Sequence, residues 1–360
     1  MSKRILIVDD DPSKIVELET ALRQAGYTDV FSTTDARRAL PAYLQFKPDC
    51  VLLDLEMPHL DGITVMQQLL SRVMASEYLP ILVTTKNPTP DIRRKALEQG
   101  AKDFLPDPFD SGELPIRIRN VLQVRDLHAQ LEARVKSRTS QLEAAEVEIA
   151  KRLAFVAELR DYPDGSHPAR VGRMSAAIAA AMTLPEAQVE LIRLAAPLHD
   201  IGKLGIPDAV LLKPGALTTA EMDIIKQHTT QGAKMLTGTH SDILQAAEEI
   251  ALYHHENWDG TGYTPGLAGD AIPLSGRIVT VADVFDALLQ KRAYKPAWKV
   301  SDALDFIDAQ KNKKFDPEIV DAFRRVAEVE FVTAGKEEWE DFMSSVSGGF
   351  AELVNRAMTD

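Results

Sequence analysis

The chain has 360 residues and one cysteine, Cys50, which is long enough for two or three domains with sizeable cores and excludes an internal disulfide framework. Its formal net charge of -13 argues against a DNA or RNA duplex as the main partner, because a polyanion is held by clustered cations. No signal-peptide pattern and no apolar run of about 18 residues is present, so a soluble, cytoplasmic protein with no membrane contact is expected.

Residues 1–123 alternate apolar runs with amphipathic stretches. RILIVDD precedes a helix after Pro12, DVFST one from Asp35, DCVLLDL one after Gly62, LPILVTT one near 89–99, and AKDFLP one from about 111. Strict alternation of five strands with five helices predicts an α/β unit, a doubly wound parallel sheet covered on both faces. Sheets of this kind bind ligands at the carboxyl ends of their strands, where Asp9, Asp10, Asp54, Thr85 and Asp107 fall. The stretch resembles a response-regulator receiver domain. That resemblance implies Asp54 as the phosphoacceptor, Asp9 and Asp10 as the acidic pair for magnesium, Thr85 and Phe104 as the switch pair, and a sensor histidine kinase as partner. One position departs from it. Where receivers place a lysine before Pro-Phe, this chain reads LPDPF, with Asp107. Four carboxylates are then expected to converge with no matching lysine, leaving Lys86, next to Thr85, as the partial substitute. Their repulsion of a phosphoryl dianion predicts that phosphorylation of Asp54 is weak, short-lived or absent.

From 124 to 152 the sequence loses proline and glycine and becomes charged. Val135, Leu142, Ile149 and Val156 recur every seven residues, with Leu127, Leu131, Ala145 and Leu153 alongside and Arg138 interrupting the seam. This pattern predicts a helical coiled-coil linker that continues the receiver's last helix and pairs with a second copy as a parallel homodimer. A solvated helical spacer is the alternative.

Residues 153–326 read as all-α, with helices over 170–182, 185–200, 218–236, 241–256, 274–291 and 300–309 and after Pro317, separated by glycines and prolines. Residues 327–360 read as a polar, acidic helical tail without a motif. Of the eight histidines, His59, His128 and His240 stand apart and receive no role. HDIGK at 199–203, His228 in KQHTTQG, HHENWDGTGY at 254–263 and Asp283 in VADVFDAL set four others beside carboxylates, and His167 lies one helix upstream in GSHPARVGR. Imidazoles and carboxylates without cysteine suit iron, manganese, nickel or zinc rather than a structural zinc site. Neighbours such as His199 and Asp200, or His254 and His255, do not easily address one ion from a regular helix, so two ions bridged by a carboxylate are expected. Such a pair, about 3.5 to 4 Å apart, ionises a water and clamps a phosphoryl oxygen, and the chemistry implied is phosphoester hydrolysis.

With RAYK at 292–295 added, these motifs stand in the order and spacing of the HD-GYP family, and residues 153–326 resemble its cyclic di-GMP phosphodiesterases. The resemblance implies one ion held by His167, His199, Asp200 and Asp283, and another by Asp200, His228, His254 and His255. It also implies Asp200 and Lys203 as the catalytic pair, and Lys203, Gly262, Tyr263, Arg292 and Lys295 as substrate-facing residues. Trinuclear members carry a glutamate four residues before the first histidine; Pro163 stands there, so a dinuclear centre is expected. The family's GYP reads GYT, with Thr264 in place of the proline and Pro265 one position later, a change that removes no ligand and no charge. The reading is an enzyme that hydrolyses cyclic di-GMP to pGpG, with slower cleavage to GMP, under an atypical receiver. Its rival is a catalytically weak module that binds cyclic di-GMP or pGpG and signals through protein partners.

Overall fold

The computed structural model describes residues 3–73, 78–86, 89–110, 112–160, 165–290 and 297–333. The chain divides into two compact units, Met1–Leu142 and Glu143–Asp360. In the first, strands β1 (Arg4–Val8), β2 (Asp29–Thr33), β3 (Cys50–Asp54), β4 (Ile81–Thr85) and β5 (Asp103–Pro106) alternate with helices α1 (Pro12–Gln24), α2 (Ala39–Phe46), α3 (Gly62–Leu70), α4 (Pro90–Glu98) and the first part of α5 (Glu113–Glu158), whose residues from Glu143 on belong to the second unit. The strands form one sheet in the order β2-β1-β3-β4-β5, and every pairing is parallel. Central strands β3 and β4 are buried along their whole length. Their side chains feed two cores, one containing Val51, Leu53 and Val83 and the other containing Cys50, Leu52 and Leu82. That is why their sequences run apolar instead of alternating. The order reverses between β1 and β3, and the ends of these strands deliver Asp9 and Asp54 to the crevice where such sheets take ligands.

The second unit is helical: after α5 come α6 (His167–Ala181), α7 (Glu186–Ala195), α8 (Asp208–Leu211), α9 (Thr219–Leu236), α10 (Asp242–Tyr253), α11 (Leu274–Leu289), α12 (Val300–Ala309) and α13 (Pro317–Thr333). One core joins α6, α7, α10, α11, α12 and α13 through Val171, Ile192, Ile250, Phe285, Ile307 and Phe323. The expected helix over 185–200 is shorter than its apolar pattern suggests. It stops at Ala195 and gives way to 3-10 turns over Ala196–Leu198 and Ile201–Gly205, because Pro197 lacks the N–H of the next helical turn and its ring crowds the preceding carbonyl.

Glycine then sets how closely the turn after Asp200 approaches α9. A Cβ on Gly202 would lie 1.9 Å from the His228 carbonyl oxygen and 2.4 Å from the Gly232 nitrogen, so no other residue lets these two backbones touch. The start of α9 is fixed by a capping box, in which Thr218 Oγ accepts from Glu221 N and Glu221 accepts from Thr218 N, satisfying two helix-end donors. Lys213 pairs with the same glutamate at 2.7 Å.

Candidate functional site

His167 opens α6, His199 and Asp200 sit in the break after α7, His228 lies in α9, His254 caps the end of α10, and Asp283 lies in α11. Their side chains meet. Asp200, His228, His254 and His255 offer ligand atoms within 4.8 Å of one another, and so do Glu158, His167, His199 and Asp200. Asp283 Oδ1 stands 3.3 Å from His167 Nε2 and 3.8 Å from His199 Nε2, beside the second group. Two neighbours along the chain do address one place, contrary to the expectation from a regular helix. His254 ends α10 while His255 has already left it, and His199 and Asp200 sit in the break at Pro197, with Nε2 and Oδ2 3.2 Å apart.

The ring orientations are fixed from behind. Nδ1 of His199 lies 2.9 Å from the Ala196 carbonyl oxygen, that of His228 2.6 Å from Ile225's, and that of His254 3.0 Å from Ile250's. A carbonyl only accepts, so each Nδ1 carries the proton and each Nε2 presents its lone pair to the centre. His167 Nδ1 is held in the same way by Asp286 Oδ2 at 2.6 Å. As a result His228 Nε2 and His254 Nε2 face each other at 3.4 Å, an arrangement unfavourable for two lone pairs and relieved by a shared cation. His199 Nε2, Asp200 Oδ1 and both carboxylate oxygens of Glu158 are buried with no hydrogen-bond partner among the described residues, although buried polar atoms are nearly always paired. These orphaned nitrogen and oxygen donors fit divalent transition ions.

Asp200 is the shared member of both groups. Its Oδ1 faces His228 Nε2 at 3.2 Å and His254 Nε2 at 3.6 Å, while its Oδ2 faces His199 Nε2 at 3.2 Å and Lys203 Nζ at 2.7 Å. One oxygen towards each histidine set is the geometry a bridging carboxylate requires. Burial works against the charge on Asp200, but Lys203 and His199 outweigh it and hold the carboxyl well below the usual range. Burial lowers His254, and burial with the neighbouring His254 and His228 lowers His255 further, which keeps these rings neutral, as ligands must be. At His167 burial opposes the charge, yet Asp283 and Asp286 raise its pKa to about 10.

Tyr263 stacks on His255 with ring centroids 4.8 Å apart, and Lys226 Nζ lies over the Tyr263 ring, 5.5 Å from its centroid. Burial pushes the Tyr263 hydroxyl pKa up. Gly262 has a packing role: a Cβ there would fall 2.4 Å from Asn257 N and 2.6 Å from Glu256 Cα, so only glycine lets the loop fold back over the paired histidines. Pro163, Arg292 and Lys295 lie outside the described residues.

Sequence reasoning missed three residues here. Glu158, the last residue of α5, is buried beside His167 and His199, and burial raises its pKa; nine residues before His167, it lies outside every motif. Asp286 was legible only as a helical neighbour of Asp283, yet it holds both His167 and Arg170, the latter at 2.6 Å. Lys314 reaches Asn257 Oδ1 at 3.3 Å, joining the region through a contact between positions distant in sequence.

The receiver pocket gathers Asp9, Asp10 and Asp54, whose carboxylates lie within 4.8 Å of one another. Burial raises the Asp54 pKa to about 6, with Lys14 pulling the other way. Thr85 is buried and its hydroxyl meets Glu56 at 3.1 Å, and Phe104 is buried under Arg93. The expected convergence of carboxylates without a lysine is corrected. Lys14 of α1 enters the cluster, 2.8 Å from Asp9 Oδ2, 3.1 Å from Asp107 Oδ2 and 3.8 Å from Asp54 Oδ1. Lys86 is not the substitute, since it is exposed and pairs with Asp11 at 3.7 Å.

A five-stranded parallel sheet and a helical unit with paired histidine and carboxylate groups define a two-domain protein with a candidate metal centre. The chain belongs to the HD domain family, whose model matches residues 134–319, and the response regulator receiver domain matches residues 5–119. HD domains are metal-dependent hydrolase domains. Over 329 residues the chain is 40% identical to the cyclic di-GMP phosphodiesterase response regulator RpfG of Xanthomonas campestris pv. campestris, covering 89% of this chain and 87% of that one. It is 36% identical over 336 residues to a cyclic di-GMP phosphodiesterase of Thermotoga maritima, covering 89% and 90%. A 3'3'-cGAMP-specific phosphodiesterase 2 of Vibrio cholerae is 39% identical over 197 residues, covering 55% of this chain and 35% of that one. No helix among the described residues is long and apolar enough to cross a membrane.

Because Asp286 sets the tautomer of His167, Asp286→Asn is expected to weaken metal binding about 10- to 100-fold without unfolding the helical unit. Titration of metal-free protein with manganese, followed by calorimetry, measures the change; affinity equal to that of the unaltered protein would contradict the orienting role.

Proposed function

We propose that this protein hydrolyses cyclic di-GMP to the linear dinucleotide pGpG, with slower cleavage onward to GMP, under the control of its receiver. The observation that carries the reading is the pair of histidine sets turned onto the two oxygens of Asp200. In this reading His167, His199 and Asp283, with Glu158 beside them, hold one ion, and His228, His254 and His255 hold the other, with Asp200 common to both. When bound, two ions drawn from iron, manganese, nickel or zinc supply Lewis acidity towards a phosphoryl oxygen and make water nucleophilic near neutral pH. Lys203, one short turn beyond Asp200, keeps its ammonium at the rim of the centre, where it stabilises negative charge growing on the phosphoryl oxygens. Tyr263 and Gly262 form the wall beside His255, and Arg292 and Lys295 are assigned to the substrate phosphates. Asp54 is the phosphoacceptor, with Asp9 and Asp10 holding magnesium, and a sensor histidine kinase is the donor. Cyclic di-GMP is preferred as substrate because the two relatives that match nearly the whole chain carry that name, whereas the cGAMP-specific relative matches about half of it.

Metal analysis and product chromatography on the same preparations test the reading. The unaltered protein should carry metal and convert cyclic di-GMP to pGpG faster than 3'3'-cGAMP, and Asp200→Ala should lose metal and about 100-fold or more of the rate. Tight nucleotide binding with no turnover in the presence of manganese, iron or nickel would instead favour the binding-module reading.

We also infer a homodimer through α5. Val135, Leu142, Ile149 and Val156 are exposed by 62, 71, 58 and 50%, an apolar heptad seam that a second copy would cover. Light scattering should give a dimer mass for the unaltered protein and a monomer mass for Val135→Glu/Leu142→Glu; one mass for both would remove the seam from the interface.

A further inference from the structure

The receiver pocket contains a cation that its sequence pattern does not call for. Lys14 is 5% exposed, and besides its three carboxylate neighbours its Nζ donates to the Thr84 hydroxyl at 3.1 Å. Local structure brings it there. Asp11 caps α1, its side chain accepting from Ser13 N at 2.9 Å, and Pro12 occupies the first turn, so position 14 stands one short turn from the strand end that carries Asp9. Burying an ammonium is costly unless opposite charges surround it. Here Asp9, Asp54 and Asp107 surround Lys14 with opposite charge. Asp107 is the residue that displaced the usual lysine, and it is also one of the acids that anchor Lys14, at 3.1 Å. The two departures from the receiver pattern thus form a single exchange: the cation has moved from the end of β5 to the first turns of α1, and an acid has taken its former place.

We propose, on the reading of Asp54 as the phosphoacceptor, that Lys14 is the cation that meets the phosphoryl group there and so keeps this receiver competent for phosphoryl transfer. With an acyl phosphate as donor, an Asp54 oxygen forms a bond to phosphorus while the bond from phosphorus to the acyl oxygen breaks. The donor leaves as a carboxylate and no proton changes hands. A dianionic donor and an ionised Asp54 become a dianionic acyl phosphate and a free carboxylate, so the negative charge inside the pocket increases. An ammonium 3.8 Å from Asp54 Oδ1 stands where that added charge arrives, and Asp9 and Asp107 hold it in place beforehand. Magnesium on Asp9, Asp10 and Asp54 would supply the second positive group, sharing Asp9 with Lys14, which also reaches Asp107 and Thr84. On this proposal Asp54 is phosphorylated readily, where Asp107 alone would predict weak or absent phosphorylation.

The full-length protein is incubated with acetyl phosphate and magnesium and followed by intact-mass measurement, with Asp54→Asn as the control for the site. The unaltered protein should take one phosphoryl group, and Lys14→Met should be labelled about 100-fold more slowly. Lys14→Met/Asp107→Asn removes one charge of each sign, which guards against unfolding from unpaired acids, and should be equally slow. Lys14→Met/Asp107→Lys, which returns the cation to the end of β5, should regain labelling. A magnesium-dependent rise in melting temperature checks that each variant is folded. Labelling of Lys14→Met or of Lys14→Met/Asp107→Asn at the unaltered rate or faster would overturn the proposal and make Lys14 a counter-ion filling the pocket. If the unaltered protein takes no label, the phosphoacceptor reading falls and the role of Lys14 with it, whereas label on Asp54 that is indifferent to Lys14 removes the lysine's role alone.

Discussion

The helical unit depends on one carboxylate having its two oxygens claimed from opposite sides. Asp200 turns Oδ1 to His228 and His254 and Oδ2 to His199 and Lys203, and no position on an uninterrupted helix would allow that. Pro197 ends α7 early, a 3-10 turn carries Asp200 inward, and Gly202 lets the following backbone lie directly on α9 at His228. Burial alone would protonate such a carboxylate. The cationic Lys203 keeps it ionised, and an ionised oxygen is what a divalent ion takes as ligand.

Around that carboxylate, the histidines are aimed by main-chain atoms more than by other side chains. Carbonyls of Ala196, Ile225 and Ile250 each fix one ring, and those carbonyls are placed by the helical turns in which the histidines themselves sit. Secondary structure and ligand tautomer are therefore the same fact seen at two scales. Asp286 is the exception, a side chain on α11 that reaches the start of α6 and ties His167 and Arg170 together. Glu158, by contrast, brings a carboxylate from the end of the long helix α5, so the centre draws donors from each of the elements that enclose it.

Much of this was legible in the sequence, and what was not has particular causes. The parallel sheet could be read because β3 and β4 are apolar throughout, a pattern produced by burial on both faces. The motif histidines could be read because ligand types cluster in short segments. The break at Ala195 is masked in the sequence because apolar periodicity continues across Pro197, although a proline inside a helical pattern favours a break there. Glu158 and Asp286 are ordinary acids on amphipathic helices, and only the packing of α5 and α11 against α6 separates them from surface charges. Lys14 was hidden for another reason: its importance comes from Asp107, and the two meet only when α1 folds against the strand ends. Asp107 is conspicuous in the sequence, whereas the lysine that meets it stands at a position that carries no signature.

The chemistry proposed for the helical unit requires two cations that share Asp200. Crystals of the full chain grown with manganese and measured for anomalous scattering at the manganese edge answer this most directly. Two peaks about 3.5 to 4 Å apart, one on each side of the Asp200 carboxylate and bounded by the Nε2 atoms of the two histidine sets, are the predicted result. A single peak, or manganese bound elsewhere with the Asp200 oxygens unligated, would contradict it.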